Sequence, residues 1–187
     1  MISPLKIGFL HPYLEGRESD IVSGKYPYQH SWGCLSLSKS SVFSSEVITP
    51  SSLNLPKSLI KVVDRIFFTR SVGFNYEFGL SRKYKHLDVI YSVSGPLSSV
   101  TRLKNTKLVS WVFRPPLQSP TNPFHAYHKS NLKKNHGFLC LTPTAEKYFS
   151  NFAPSRFIPW CVDLDLFDGK PPKTNDNAPF FLATGKT

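Results

Sequence analysis

Arg114 follows a strongly apolar run, Leu108-Val109-Ser110-Trp111-Val112-Phe113, and precedes Pro115 and Pro116. A guanidinium fixed at a strand end can hold a phosphate or carboxylate in bidentate fashion; the alternative is an arginine solvated in a loop. Glu15, Glu18 and Asp20 lie between His11 and His30. Paired carboxylates hydrolyse glycosides when held at the right separation, but loop carboxylates are ordinarily solvated, which disfavours a hydrolase. His125 and His128 lie three apart with His136 nearby. No carboxylate or cysteine near them in sequence completes a zinc set, so they read as surface or core histidines and no metal is expected. Gly185-Lys186-Thr187 ends like a P-loop, yet the glycine required five positions earlier is Phe180. No G-x-G-x-x-G follows the first strand, which disfavours a free-standing dinucleotide-binding domain.

The chain of 187 residues suffices for one domain with a sizeable core and is too short for two full Rossmann-like domains. Hydrophobic residues at 40% and charged residues at 19% fit a folded protein rather than a disordered one. No apolar run approaches the roughly 20 residues of a membrane span, and residues 1–10 are too short and too broken by Pro4 and Lys6 for a signal peptide. The expectation is a cytoplasmic protein. Cys34, Cys140 and Cys161 form no C-x-x-C pair and read as buried small residues.

The net charge of +11 is unevenly placed. Residues 1–50 are neutral, whereas no acidic residue lies between Asp88 and Glu146 and seven basic ones do: Arg102, Lys104, Lys107, Arg114, Lys129, Lys133 and Lys134. Such a field attracts phosphorylated substrates, acidic lipid or nucleic acid; no nucleic-acid recognition signature accompanies it, so no nucleic acid is expected.

Short apolar runs alternate with helical spacing. Strands are expected at 5–10, 46–49, 87–93, 107–113, 137–141, 156–159 and 179–184, and helices at 29–41, around 59–67, from Pro96, at 124–134 and from Pro143 behind Thr142 as N-cap. A loop is expected over 11–28 and a linker from Cys161. This order predicts an α/β fold with one parallel sheet covered by helices on both faces, a single Rossmann-like domain over 1–160. Ligands then bind beyond the carboxyl ends of the strands, which nominates His11, Ser94, Gly95, Phe113, Arg114, Thr142 and Glu146.

Phe157-Ile-Pro-Trp-Cys-Val-Asp-Leu-Asp-Leu-Phe167 resembles the hinge of retaining GT-B glycosyltransferases of the family 4-like group, and Pro179-Phe-Phe-Leu-Ala-Thr-Gly185 is similar to the first strand of their nucleotide-sugar domain. Gly137-Phe-Leu-Cys-Leu-Thr-Pro-Thr-Ala-Glu146 and His86-Leu-Asp-Val-Ile-Tyr91 resemble two further strand segments of the N-terminal half. Phe113-Arg114 stands where many members carry a histidine, and Gly16 and Gly24 are the only glycines available for the loop after the first strand. The resemblance implies an acceptor-binding half, with 161–187 as hinge and first strand of a nucleotide-sugar-binding domain that is absent. It implies transfer of a sugar from a nucleotide sugar, the co-substrate bound mainly by the missing domain, to a glycan or lipid-linked acceptor, with this half alone inactive and no other cofactor. Gly24, Ser94, Gly95, Arg114, Thr142 and Glu146 become acceptor-binding candidates, and His11 and His30 candidate bases. The rival reading is a non-catalytic glycan- or anion-binding module. A donor domain encoded after Thr187 would separate the two.

Lys57, Lys61 and Arg65 recur every four residues as one basic stripe, with Leu59, Val63, Ile66 and Phe67 on another face. This pattern fits either docking on an anionic membrane surface or a helix that buries its apolar face on the sheet and leaves the lysines in water.

Overall fold

A computed structural model describes residues 3–23, 25, 31–51, 55–98, 103 and 105–159. The strands are β1 (Leu5–Leu10), β2 (Phe43–Val47), β3 (Val89–Ser92), β4 (Lys107–Val112), β5 (Gly137–Cys140) and β6 (Ser155–Phe157); the helices are α1 (Glu18–Val22), α2 (Cys34–Ser38), α3 (Lys57–Phe67), α4 (Phe74–Lys83), α5 (Lys129–Leu132) and α6 (Pro143–Phe149). All six strands pair in parallel in the order β2-β1-β3-β4-β5-β6. The fold is α/β and Rossmann-like.

Alternation along the strands divides the core between the two faces of the sheet. Ile7, Phe9, Tyr91 and Trp111 point one way and pack with Leu14 and with Cys34 of α2. Leu10, Ile90 and Leu108 point the other way and pack with Leu80 of α4 and with Tyr84, its C-cap. On that second face Val112, Phe138 and Cys140 are covered by Ala145 and Phe149 of α6. Gly8 also belongs there: a Cβ would collide with the Leu87 side chain and come within 2.8 Å of Ile48 Cδ1, an overpacking that costs about 1–3 kcal/mol in a close-packed core.

Polar stitching fixes where strands begin. Asp88 accepts from Lys6 N at 2.8 Å through its carboxylate, and its carbonyl accepts from Lys107 N, so it ties the starts of β1, β3 and β4. Thr142 caps α6 as expected: its side chain accepts from Ala145 N, with Pro143 in the first turn.

Several local expectations differ from what is observed. The loop expected over 11–28 contains α1. Of the helix expected over 29–41, the described residues 31–41 form only α2, because Trp32 and Gly33 are both left-handed, with φ of 54° and 88°. The second strand begins at Phe43, where it pairs with Leu5, rather than at Glu46. Residues 95–98 are not helical, although Pro96 was expected to open a helix. The helix expected at 124–134 shrinks to α5. Asn122 Oδ1 accepts from Phe124 N and His125 Nδ1 accepts from Tyr127 N, and such local side-chain bonds favour turns over helix. α4 was not anticipated. The linker from Cys161 and the strand at 179–184 lie outside the described residues. Cys34 and Cys140 are buried thiols that form no disulfide among the described residues; burial, together with nearby Glu146, pushes the Cys140 thiol up to about 11.

Candidate functional site

In the order β2-β1-β3-β4-β5-β6 the chain moves to one side of β1 to make β2 and to the other to make β3. In open parallel sheets ligands bind beyond the carboxyl ends of the strands at such a reversal, here those of β1 and β3.

Two nominated residues meet there. His11 follows β1, Ser94 follows β3, and His11 Nδ1 lies 3.4 Å from Ser94 Oγ. Backbone bonds hold both ends: Val93 N donates to Leu10 O, and Leu14 N to His11 O. Gly95 has φ of 104°, and a Cβ would stand 3.0 Å from the Tyr127 hydroxyl, so glycine serves both the turn and the close approach. Ser92 Oγ donates to the Gly95 carbonyl inside that turn.

Aromatic rings gather around His11. Tyr13 meets it edge-on at 5.4 Å and Trp32 at 5.6 Å between ring centroids. Trp32 in turn packs edge-on against Trp111 at 5.1 Å and Phe113 at 6.3 Å. Tyr13 and Phe113 are exposed and Trp32 is half-buried, so the cluster presents aromatic surface to solvent. Beside Trp32, two buried polar atoms, Ser31 Oγ and Trp111 Nε1, have no hydrogen-bond partner among the described residues. Buried groups left in this state are uncommon and call for a partner. Trp32 holds its left-handed backbone without being glycine, a strain that gathers at ligand sites.

The loops behind this cluster are braced from the second face. Glu77 of α4 is 3% exposed. Its carboxylate accepts from Ser98 N at 3.1 Å through both oxygens and from Ser98 Oγ at 2.8 Å, which clamps the turn carrying Ser94 and Gly95. Tyr76, also on α4, donates to Glu15 Oε2 at 3.1 Å and so ties down the loop after β1. Burial and the Glu15 carboxylate push the Tyr76 phenol up to about 12, and it remains a donor across the physiological range.

Arg114 and Phe113 follow β4 on the same carboxyl edge, and both are exposed. Arg114 makes no hydrogen bond or ion pair with any described residue. Thr142 is occupied as the α6 cap, and Glu146 Oε1 accepts from Phe157 N at 3.0 Å, so the described contacts of these two are structural. Gly24 and His30 lie outside the described residues. Lys57, Lys61 and Arg65 are exposed on α3. His125 and His128 spend Nδ1 on local bonds to Tyr127 N and Ser130 N, and burial, then Arg70 and His128, lower the pKa of His125. Residue order alone did not single out Tyr13, Trp32, Trp111 or Glu77 as site residues. The Trp-Gly pair at 32–33, where glycine marks a backbone break, is the one sequence signal that could have found Trp32.

Together these groups can stack an amphipathic ring on aromatic faces, hydrogen-bond its hydroxyls through His11 and Ser94, and hold an anionic substituent at Arg114. Comparison with known protein families, curated proteins and solved structures finds no match to this chain.

Proposed function

We propose that this chain is the acceptor-binding, N-terminal half of a retaining GT-B glycosyltransferase, which moves a sugar from a nucleotide sugar to a glycan or lipid-linked acceptor. The observation that carries the reading is the aromatic cluster around His11 and Ser94, placed at the point where the strand order reverses. A sugar ring has apolar C–H faces and a polar hydroxyl rim, and this cluster offers both kinds of partner. The family resemblance of the hinge-like segment from Phe157 to Phe167 supports the same reading.

In this account Trp32 and Phe113 carry the acceptor ring, and His11 and Ser94 orient the hydroxyl that receives the sugar. Positioning that hydroxyl and excluding water is this half's contribution to rate. The nucleotide sugar is bound mainly by the other half. His11 is the candidate to accept the hydroxyl proton, since a neutral imidazole nitrogen can take one up. Arg114 takes a phosphate or carboxylate on the acceptor.

Arg114→Ala in the complete enzyme will lower kcat/KM by about 10- to 100-fold, the loss of one charge-assisted contact, and will leave the thermal melt unchanged because the side chain is exposed. Steady-state kinetics beside melting curves test this. Unchanged kinetics would make Arg114 a solvated surface residue.

A further inference from the structure

α3 is an amphipathic helix with no buried residue. It meets the rest of the fold along one side: Asp64 Oδ1 accepts from Phe74 N at 2.6 Å, and the Phe67 ring packs edge-on against Phe124 at 4.9 Å. Its aliphatic row faces elsewhere. Leu59 is 46% exposed, Val62 54% and Ile66 46%, at spacings of three and four that align them along one side of the helix. Lys57, Lys61 and Arg65 form a parallel exposed row beside them. The surroundings are basic as well. Residues 57–85 contain Lys57, Lys61, Arg65, Arg70, Arg82, Lys83 and Lys85 against Asp64 and Glu77 alone, and both carboxylates are occupied by backbone N–H groups.

We propose that α3 docks the protein on an anionic lipid surface, with Leu59, Val62 and Ile66 entering the boundary between headgroups and acyl chains and Lys57, Lys61 and Arg65 contacting acidic headgroups. An apolar row flanked by lysine and arginine is the pattern that lies in a membrane interface. Charge selects this occupant over a second copy of the chain, because pairing two α3 helices would bring two like-charged rows together. The C-terminal end of α3 adjoins the segment that leaves the carboxyl edge after β4: Phe67 touches Phe124, and Ala126 N donates to Thr69 O. Docking therefore brings lipid toward the edge of the sheet that carries His11, Ser94 and Arg114. The docking itself stands on α3 and holds whether or not the site takes a sugar.

Sedimentation with vesicles of phosphatidylcholine, with and without phosphatidylglycerol, tests the proposal. The protein is expected to bind only the acidic vesicles and to be released as salt rises. Replacing Lys57, Lys61 and Arg65 by Gln together should weaken partition by about a hundredfold. Val62→Asp with Ile66→Asp should weaken it by at least about tenfold, since apolar burial in the interface is lost, while the melting curve stays unchanged because both side chains are already exposed. Should the Asp pair lower stability, Val62→Ser with Ile66→Ser replaces it in the same assay. Three results would each overturn the proposal: no binding to acidic vesicles at low salt, equal binding by the apolar-row variants and the parent chain, or conversion by those variants of a soluble dimer to a monomer without any vesicle binding.

Discussion

Glu77→Ala will lower the melting temperature by about 6–12 °C, the shift that a loss of about 3 kcal/mol produces in a domain of this size. The carboxylate is almost fully buried and accepts from both the backbone N–H and the hydroxyl of Ser98. Alanine leaves those donors dry and unmatched, which is where hydrogen-bond deletions become expensive. Glu77→Gln keeps the shape and one acceptor oxygen, so it should lose less than the alanine variant. The clamp also predicts a functional link: Ser98 ends the segment that begins with Ser94 and Gly95, so both variants should weaken ligand binding at His11 and Ser94 in the same order as they lower stability. A melt of Glu77→Ala matching the parent protein would show that another contact holds this turn.

Trp32→Ala will abolish measurable saccharide binding, a loss of at least about 30-fold if Trp32 is the central aromatic anchor of the site. Its ring connects His11 to Trp111 and Phe113, so no neighbour can substitute for it. A second comparison separates ligand contact from backbone strain. Trp32 sits at φ 54°, a conformation that an alanine resists and a glycine accepts at a difference of about 1 kcal/mol. Trp32→Gly should therefore bind no better than Trp32→Ala yet melt higher. If the glycine variant melts lower, the left-handed backbone at this position carries no strain.

The parallel sheet was legible because its strands are short apolar runs bounded by Asp88, by Pro115 and Pro116, and by Thr142 with Pro143. Fully buried strands read this way in any parallel sheet. Thr142 was legible as a cap for an equally local reason. α4 was not, since Phe74, Tyr76 and Phe78 alternate as in a strand, Gly79 weakens helix propensity, and a buried carboxylate at Glu77 looks like a solvated one until Ser98 is brought to it from 21 residues away. Gly79 has a tertiary reason: a Cβ there would collide with the Ser51 side chain. His11, Ser94, Phe113 and Arg114 could be nominated from strand ends alone. The role of Trp32 could not, because it depends on a left-handed backbone and on Trp111 arriving from another strand. For α3 the sequence left two readings open, and exposure of Leu59, Val62 and Ile66 decides against the one in which the helix buries its whole apolar face on the sheet.

The proposal that this domain holds the sugar acceptor and not the nucleotide sugar is tested by titrating the protein with two sets of ligands while following the tryptophan indole N–H signals by NMR. One set is a panel of neutral and anionic saccharides, the other UDP-, GDP- and ADP-sugars. A saccharide is expected to shift the Trp32 signal saturably, and the Trp111 signal through its ring contact with Trp32, while nucleotide sugars bind poorly. Micromolar binding of a nucleotide sugar to this chain, or a saccharide panel that leaves both indoles unmoved, would contradict it.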